Sequence, residues 1–251
     1  MVEHPKLQQL RSFIRGRPIC FQASGPSIIE LKEHIHKIPK DVVWVGHNVF
    51  LPMEKIIEET LDYHLDMVYI SSPQTIEAYG TRIREFLERP ESNLFLTTTG
   101  AEKFIEASLP GLLKNHQEKI IVARCESGAP LPDHAFNVVQ FFGGNIFSFA
   151  LCFLLLLKAG ATKIVSFGLD GGIPQGYTNW HYGKYEDYPG SWYREQPNGY
   201  GPEVEAINRD WSNMVKAAAL DGSTFEILNC SPNSHINCFK KIRYKGLGSI
   251  W

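Results

Sequence analysis

Short apolar runs rich in β-branched and aromatic residues recur along the chain. They are 18–23 (PICFQA), 42–46 (VVWVG), 66–71 (DMVYIS), 93–97 (NLFLT), 119–123 (KIIVA), 163–168 (KIVSFG) and 224–230 (TFEILNC). Runs of this length bounded by turn residues predict strands, and their near-continuous apolarity suits a sheet covered on both faces. Between several of them the apolar spacing becomes helical. Ile28, Ile29, Leu31 and Ile35 mark one helix, and Ile56, Ile57 and Leu61 mark the next. Ile76, Tyr79, Ile83, Phe86 and Leu87 repeat the i, i+3, i+4 pattern. Strands alternating with helices predict βαβ units and a mostly parallel sheet. The expected fold is a doubly wound, Rossmann-like α/β domain.

Two segments stand out from the alternation. Residues 146–157 are almost wholly apolar but number only twelve. A bilayer span needs about 20, so a buried helix is predicted. The stretch Gly171–Gly201 holds seven glycines and eight aromatics, namely Tyr177, Trp180, Tyr182, Tyr185, Tyr188, Trp192, Tyr193 and Tyr200. No helix or strand period holds across it. Long loops in compact domains are functional lids or disordered segments, and disordered segments are poor in aromatics, so an aromatic lid over 171–201 is expected. A helix is predicted for Pro202–Leu220, with Pro202 in its first turn. The 251 residues are read as a single nucleotide-binding domain carrying that lid.

Charge and cysteines narrow the classes. Lys and Arg total 25 against 27 Asp and Glu, a formal net charge of −2. No basic field is present to bind nucleic acid, and any diphosphate must be held by local groups. Five scattered cysteines with no CxxC pair argue against a disulfide framework and for reduced thiols in the cytoplasm. The opening residues lack the charged-then-apolar run of a signal peptide. Peripheral membrane association stays open, and a homo-oligomer is expected.

Chemistry gathers where strands meet loops. Ala23-Ser24-Gly25-Pro26-Ser27 follows the first strand and opens the first helix, where backbone N–H groups can approach a phosphate. The same residues also read as an ordinary turn, with Ser27 as N-cap and Glu30 closing a capping box. The turn is neither GxGxxG nor a Walker motif, which disfavours NAD binding and P-loop chemistry. Gly46-His47-Asn48 follows the second strand, and Asn48 can donate and accept as base or sugar recognition requires. Gly168-Leu169-Asp170-Gly171-Gly172 follows the sixth and leads into the lid, with Asp170 able to bind Mg²⁺ or a hydroxyl, or to stabilise the turn. Gly143-Gly144-Asn145 begins the apolar helix carrying Ser148, and Cys230-Ser231-Pro232-Asn233-Ser234 follows the seventh strand. Ligands of open α/β sheets bind along the carboxyl edge to which these strand ends belong. His181 is the lid residue suited to acid/base work. His34 and His36 are two apart and do not share a helix face, so no metal site is expected. No Gly-x-Ser-x-Gly elbow supports a hydrolase.

In that order, Ser24-Gly25-Pro26-Ser27, Asn48, Gly143-Gly144…Ser148, KIVSFGLDGG at 163–172 and Cys230-Ser231-Pro232-Asn233-Ser234 resemble two related groups. One is the Campylobacter-type bacterial CMP-sialic-acid-dependent sialyltransferases. The other is the superfamily resembling archaeal 6-hydroxymethylpterin diphosphokinase, which includes flagellin-modifying glycosyltransferase-like proteins. The resemblance spans about residues 17–244. It implies that Gly25, Pro26 and Ser27 contact the donor nucleotide, with Ser24 standing where the sialyltransferases have Asn. It further implies donor contacts for Asn48 and Ser148, and support of the departing phosphate by Tyr177. The family's general-base histidine has no counterpart in 206–210 (AINRD), which leaves His181, Asp170 or Asp210 for that role, or a different chemistry.

The function expected is transfer of a sugar from a nucleotide-activated, CMP-type donor to a glycan or related acceptor. Ser24–Ser27 would face the phosphates, Asn48, Ser148, Asn233 and Ser234 the base and sugar, and Tyr177 and Tyr182 would close the lid. No cofactor is required for this reading. The alternatives are a Mg²⁺-dependent pterin-type diphosphokinase using ATP, with Asp170 and Asp210 as candidate metal ligands, and a non-catalytic nucleotide- or glycan-binding protein.

Overall fold

The computed structural model describes residues 4–23, 25–47, 64–71, 73–125, 138–141, 148–171, 205, 208–209, 211 and 224–251. The predicted lid beyond Gly171, the helix marked by Ile56, Ile57 and Leu61, and most of 202–220 lie outside the described residues. So do Ser24, Asn48, Tyr177, His181 and Tyr182.

Nine strands form one sheet: β1 Ile19–Gln22, β2 Val43–His47, β3 Met67–Ile70, β4 Leu94–Thr98, β5 Ile120–Cys125, β6 Val138–Phe141, β7 Lys163–Phe167, β8 Glu226–Asn229 and β9 Lys240–Lys241. Their order is β6-β5-β4-β3-β2-β1-β7-β8-β9. Every neighbouring pair is parallel. All seven strands predicted from the apolar runs are present, and the doubly wound α/β expectation holds. β6 and β9 are additional, and each pairs on one side only. The strands β1 to β6 step outward in chain order, and β7 then returns to the other flank of β1. That reversal places a topological switch point between β1 and β7.

Alternate side chains of the strands divide the core into two layers. Ile19, Phe21, Val43, Val45, Met67, Tyr69, Leu94 and Leu96 face the first layer. It is closed by helix α1 (Pro5–Ile14) and by the apolar helix predicted near 146–157, which runs from Ser148 to Lys158. Every residue from Phe149 to Leu157 is buried, which is why this helix is apolar on all sides. Phe153 packs edge-on against Phe21 at 4.5 Å and against Trp211 at 5.3 Å between ring centroids. No helix among the described residues is long and apolar enough to cross a membrane. Helix α1 has only two fully buried apolar positions, Leu10 and Ile14, too few to show as a period in the sequence.

Cys20, Trp44, Val68, Ile70, Phe95, Val165 and Phe167 face the second layer. Helices Pro73–Glu88 and Thr99–Ser108 and the C-terminal 3₁₀ turn Tyr244–Ser249 cover it. Ile76, Tyr79, Ile83, Phe86 and Leu87 are all buried there, as their spacing predicts. The first predicted helix needs correction. Pro26–Glu30 is 3₁₀ and passes into a single α-turn, Leu31–His34. With three residues per turn, Ile28 and Leu31 share the buried face and Ile29 is turned outward, 49% exposed.

Candidate functional site

The loops leaving β1 and β7 travel to opposite faces of the sheet. The segment after β1 buries Ile28 and Leu31 in the second layer, whereas Leu169 after β7 and Trp211 beyond it belong to the first. Ligands of open α/β sheets bind outside the carboxyl ends of the strands at such a switch point. Here the two loops are first tied together by a buried polar knot.

Gly25 N–H donates to the Gly168 carbonyl at 2.8 Å, and Ala23 N–H donates to the Phe167 carbonyl at 2.9 Å. Ser27 N–H donates to Asp170 Oδ2 at 2.9 Å, and the Ser27 hydroxyl donates to Asp170 Oδ1 at 2.6 Å. The same hydroxyl lies 2.6 Å from Ser231 Oγ. Since its proton is directed at the carboxylate, Ser231 is the donor in that second contact. Asp170, Ser27 and Ser231 are all buried. Burial pushes the Asp170 carboxyl above its ordinary value, opposed by the hydrogen bonds it accepts from the Ser27 hydroxyl and N–H. The Tyr244 hydroxyl lies over Ser27 and the Gly168 carbonyl without a hydrogen bond of good geometry to either, and burial pushes it well up.

This arrangement corrects the capping-box reading of Ser27. Gly25 is the N-cap, Pro26 opens the turn, and no side chain caps it, because the Ser27 hydroxyl is turned across to Asp170. The N–H groups of Gly25 and Ser27, expected to face a phosphate, both have partners within the chain. Ser234 is likewise buried, and its hydroxyl reaches the Leu169 and Asp170 carbonyls at 2.7 and 3.0 Å. His235 N–H also donates to the Asp170 carbonyl, at 2.8 Å. Asn233 is exposed at the same edge. Asp170, Ser27 and Ser234 therefore unite the ends of β1, β7 and β8 and fix the backbone from which the loops leave.

Asn48 and Ser148 are adjacent in sequence to residues that meet. The rings of His47 and Phe149 are 6.5 Å apart at 85°. The His47 ring also lies 5.5 Å from Phe21 and stacks on Tyr69 at 5.8 Å and 15°. His47 keeps partial exposure at the end of β2. Its surroundings, mostly aromatic carbon, hold the imidazole neutral, with its pKa pushed down to about 3. The helix that starts at Ser148 begins beside this cluster.

Four residues were given no role by the motifs in the sequence. His47, Asn229 and Tyr244 are three of them. The Asn229 amide donates to the Leu169 carbonyl at 3.0 Å and accepts from Ser231 N–H at 3.0 Å, completing the knot. The fourth is Gln22, at the end of β1. It is 1% exposed, and among the described residues neither its Nε2 nor its Oε1 has a hydrogen-bond partner. Leaving such a group unpaired costs roughly 1–3 kcal/mol. A polar residue closing an otherwise apolar strand was the available signal for both Gln22 and Asn229. Cys20, Cys152 and Cys230 are buried free thiols whose pKa values burial raises, consistent with inert cysteines. Among the described residues no group of three His, Cys, Asp or Glu could hold a metal ion.

No protein-family model, curated protein or solved structure matches the chain.

Proposed function

We propose that the chain is a transferase that binds a nucleotide-activated sugar at the carboxyl edge of its sheet and passes the glycosyl group to a glycan or related acceptor. The observation that carries this reading is the β1/β7 switch point, where the Asp170–Ser27–Ser231 knot fixes the strand ends from which the loops leave. A rigid edge lowers the ordering cost of binding. The roles follow from which groups have partners. Because the Gly25 and Ser27 amides are engaged, the phosphates fall to Ser24 and to the start of the helix at Ser148. Asn48 and the exposed Asn233 contact base and sugar. Asp170 acts as a positioning residue, since both its oxygens already accept hydrogen bonds, and His181 takes the acceptor proton. Such a base contributes about 10²–10⁴-fold in rate. Tyr177 and Tyr182 close over the donor and exclude the water that would otherwise hydrolyse it.

Thermal unfolding in the presence of CMP, CDP, UDP, GDP and ATP, each with and without Mg²⁺, tests the reading. A cytidine or uridine nucleotide at 100 times its Kd is expected to add about 2.7 kcal/mol of stability without metal. Stabilisation by ATP alone, and only with Mg²⁺, replaces the transferase with a diphosphokinase. No response to any nucleotide removes both.

A further inference from the structure

Gln22 sits where a ligand's base would be read. It is the last residue of β1, two positions before Ser24, and it flanks the switch point itself because β1 pairs with β7. In register its neighbours are Gly46 on β2 and Phe167 on β7. Gly46 sets no side chain beside it, and Phe167 offers only hydrocarbon. Strand alternation places the Gln22 side chain on the face of Cys20, toward the second core layer, where among the described residues its amide finds no hydrogen-bond partner. An amide buried in this way with both ends unpaired is rare, because folding removes its hydrogen bonds to water without replacement. A leucine or methionine would fill the position at no such cost. The residue keeps a donor and an acceptor side by side, in one plane, in the part of the fold where ligands bind.

We infer that Gln22 recognises the edge of a planar heterocycle through two parallel hydrogen bonds. Its Nε2–H donates to a ring nitrogen and its Oε1 accepts from the adjacent exocyclic amino group. The chemistry is the N=C–NH₂ edge shared by cytosine, adenine and pterins. This rests on the proposed nucleotide-binding reading of the carboxyl edge, and it adds the residue that selects the ring.

Gln22→Met, with Gln22→Leu as a second variant, tests it in the full-length protein. Unliganded, both variants are expected to melt at or above the wild-type temperature, because each removes an unpaired amide. Titration with CMP, AMP and 6-hydroxymethylpterin identifies which ring is bound. The variants are expected to bind that ring about tenfold or more weakly, the loss of one pair of neutral hydrogen bonds. The analogue of that ring lacking the exocyclic amino group should lose affinity for wild type but not for Gln22→Met, since the two changes remove the same contact. Equal losses in both proteins overturn the inference. So does a clear drop in the melting temperature of both unliganded variants, which would show the amide holding a buried water instead. Binding of UDP with no response to the three amino-bearing rings removes Gln22 from recognition and leaves the transferase standing. No binding of any nucleotide removes both.

Discussion

Gly25→Ala is expected to destabilise the protein by about 3 kcal/mol or more, a drop of roughly 6–12 °C in Tm for a chain of this size. The cause is space. Gly25 has φ −67°, which alanine adopts freely, so no conformational strain enters. A Cβ there would overlap Asp170 Oδ2 and the Gly168 carbonyl oxygen, and would lie 2.8 Å from Asp170 Cγ. None of these can give way cheaply. The Gly168 carbonyl accepts from Gly25 N–H, and the carboxylate is held by Ser27 from two sides. Gly168→Ala meets the same knot from the other side. Its φ of +63° disfavours alanine, and its Cβ would approach the Ala23 and Gly25 carbonyls at 2.7 and 2.9 Å. The two substitutions press on one contact, so the double variant should lose less than the sum of the singles. Gly16 is the control: φ is +73° but nothing lies within 4 Å of its Cβ position, so Gly16→Ala should cost only about 1–2 kcal/mol. Urea unfolding of the three variants checks the series. A Gly25→Ala loss no larger than that of Gly16→Ala would show that the knot can part without penalty.

The layered fold was legible because burial on both faces of a parallel sheet leaves an unusually plain mark. Strands such as VVWVG and KIIVA carry apolar side chains toward both layers, and no other common element requires that over five residues. Edge strands lack the mark. β9 is two lysines that pair only with β8, and the polar Lys240-Lys241 says nothing of a sheet. Helix type was harder than helix position. The apolar spacing of Ile28, Leu31 and Ile35 fits both 3.6 and three residues per turn over so short a stretch, and only Ile29, exposed at 49%, separates the two.

The candidate site was legible in its location more than in its roles. Small polar residues after successive strands must converge on the carboxyl edge once the strands are parallel, and Ser27, Asp170, Ser231 and Ser234 do so. Which of them face a ligand and which face each other depends on packing across the switch point, between residues some 143 positions apart. No local pattern encodes that. Asp170 illustrates the difference: Gly-flanked aspartate at a strand end reads equally as ligand or as turn device, and the structure gives it Ser27 as its partner. The outliers were informative in the opposite way. Gln22 and Asn229 each end an apolar strand with an amide, and one is fully partnered while the other has no partner.

Asp170→Ala is expected to destabilise the fold by about 3 kcal/mol, because it leaves the Ser27 N–H and hydroxyl buried without an acceptor. Asp170→Asn should cost less. The amide oxygen can still accept from Ser27 N–H, and its NH₂ can donate to Ser27 Oγ if that hydroxyl turns its proton to Ser231. Reversal of the Asp170–Ser27–Ser231 chain is also what protonation of the wild-type carboxyl requires, so the asparagine variant mimics the acid form. The pH dependence then has a fixed sign. Burial raises the folded pKa of Asp170 above its ordinary 3.8. A group raised in this way contributes stability that is fully present below its unfolded pKa and is lost as pH climbs through the folded value. Wild type should therefore lose ground relative to Asp170→Asn as pH climbs from the ordinary 3.8 through the raised folded value, with the loss ending once the carboxyl is fully ionised. Urea unfolding of the two proteins across that range measures the difference directly, since the other titrating groups are common to both. A difference that moves the opposite way would mean that the two hydrogen bonds from Ser27 outweigh burial and hold the carboxylate below its ordinary range. The knot would then favour the ionised acid, and the switch point would be weakened by mild acid instead of strengthened by it.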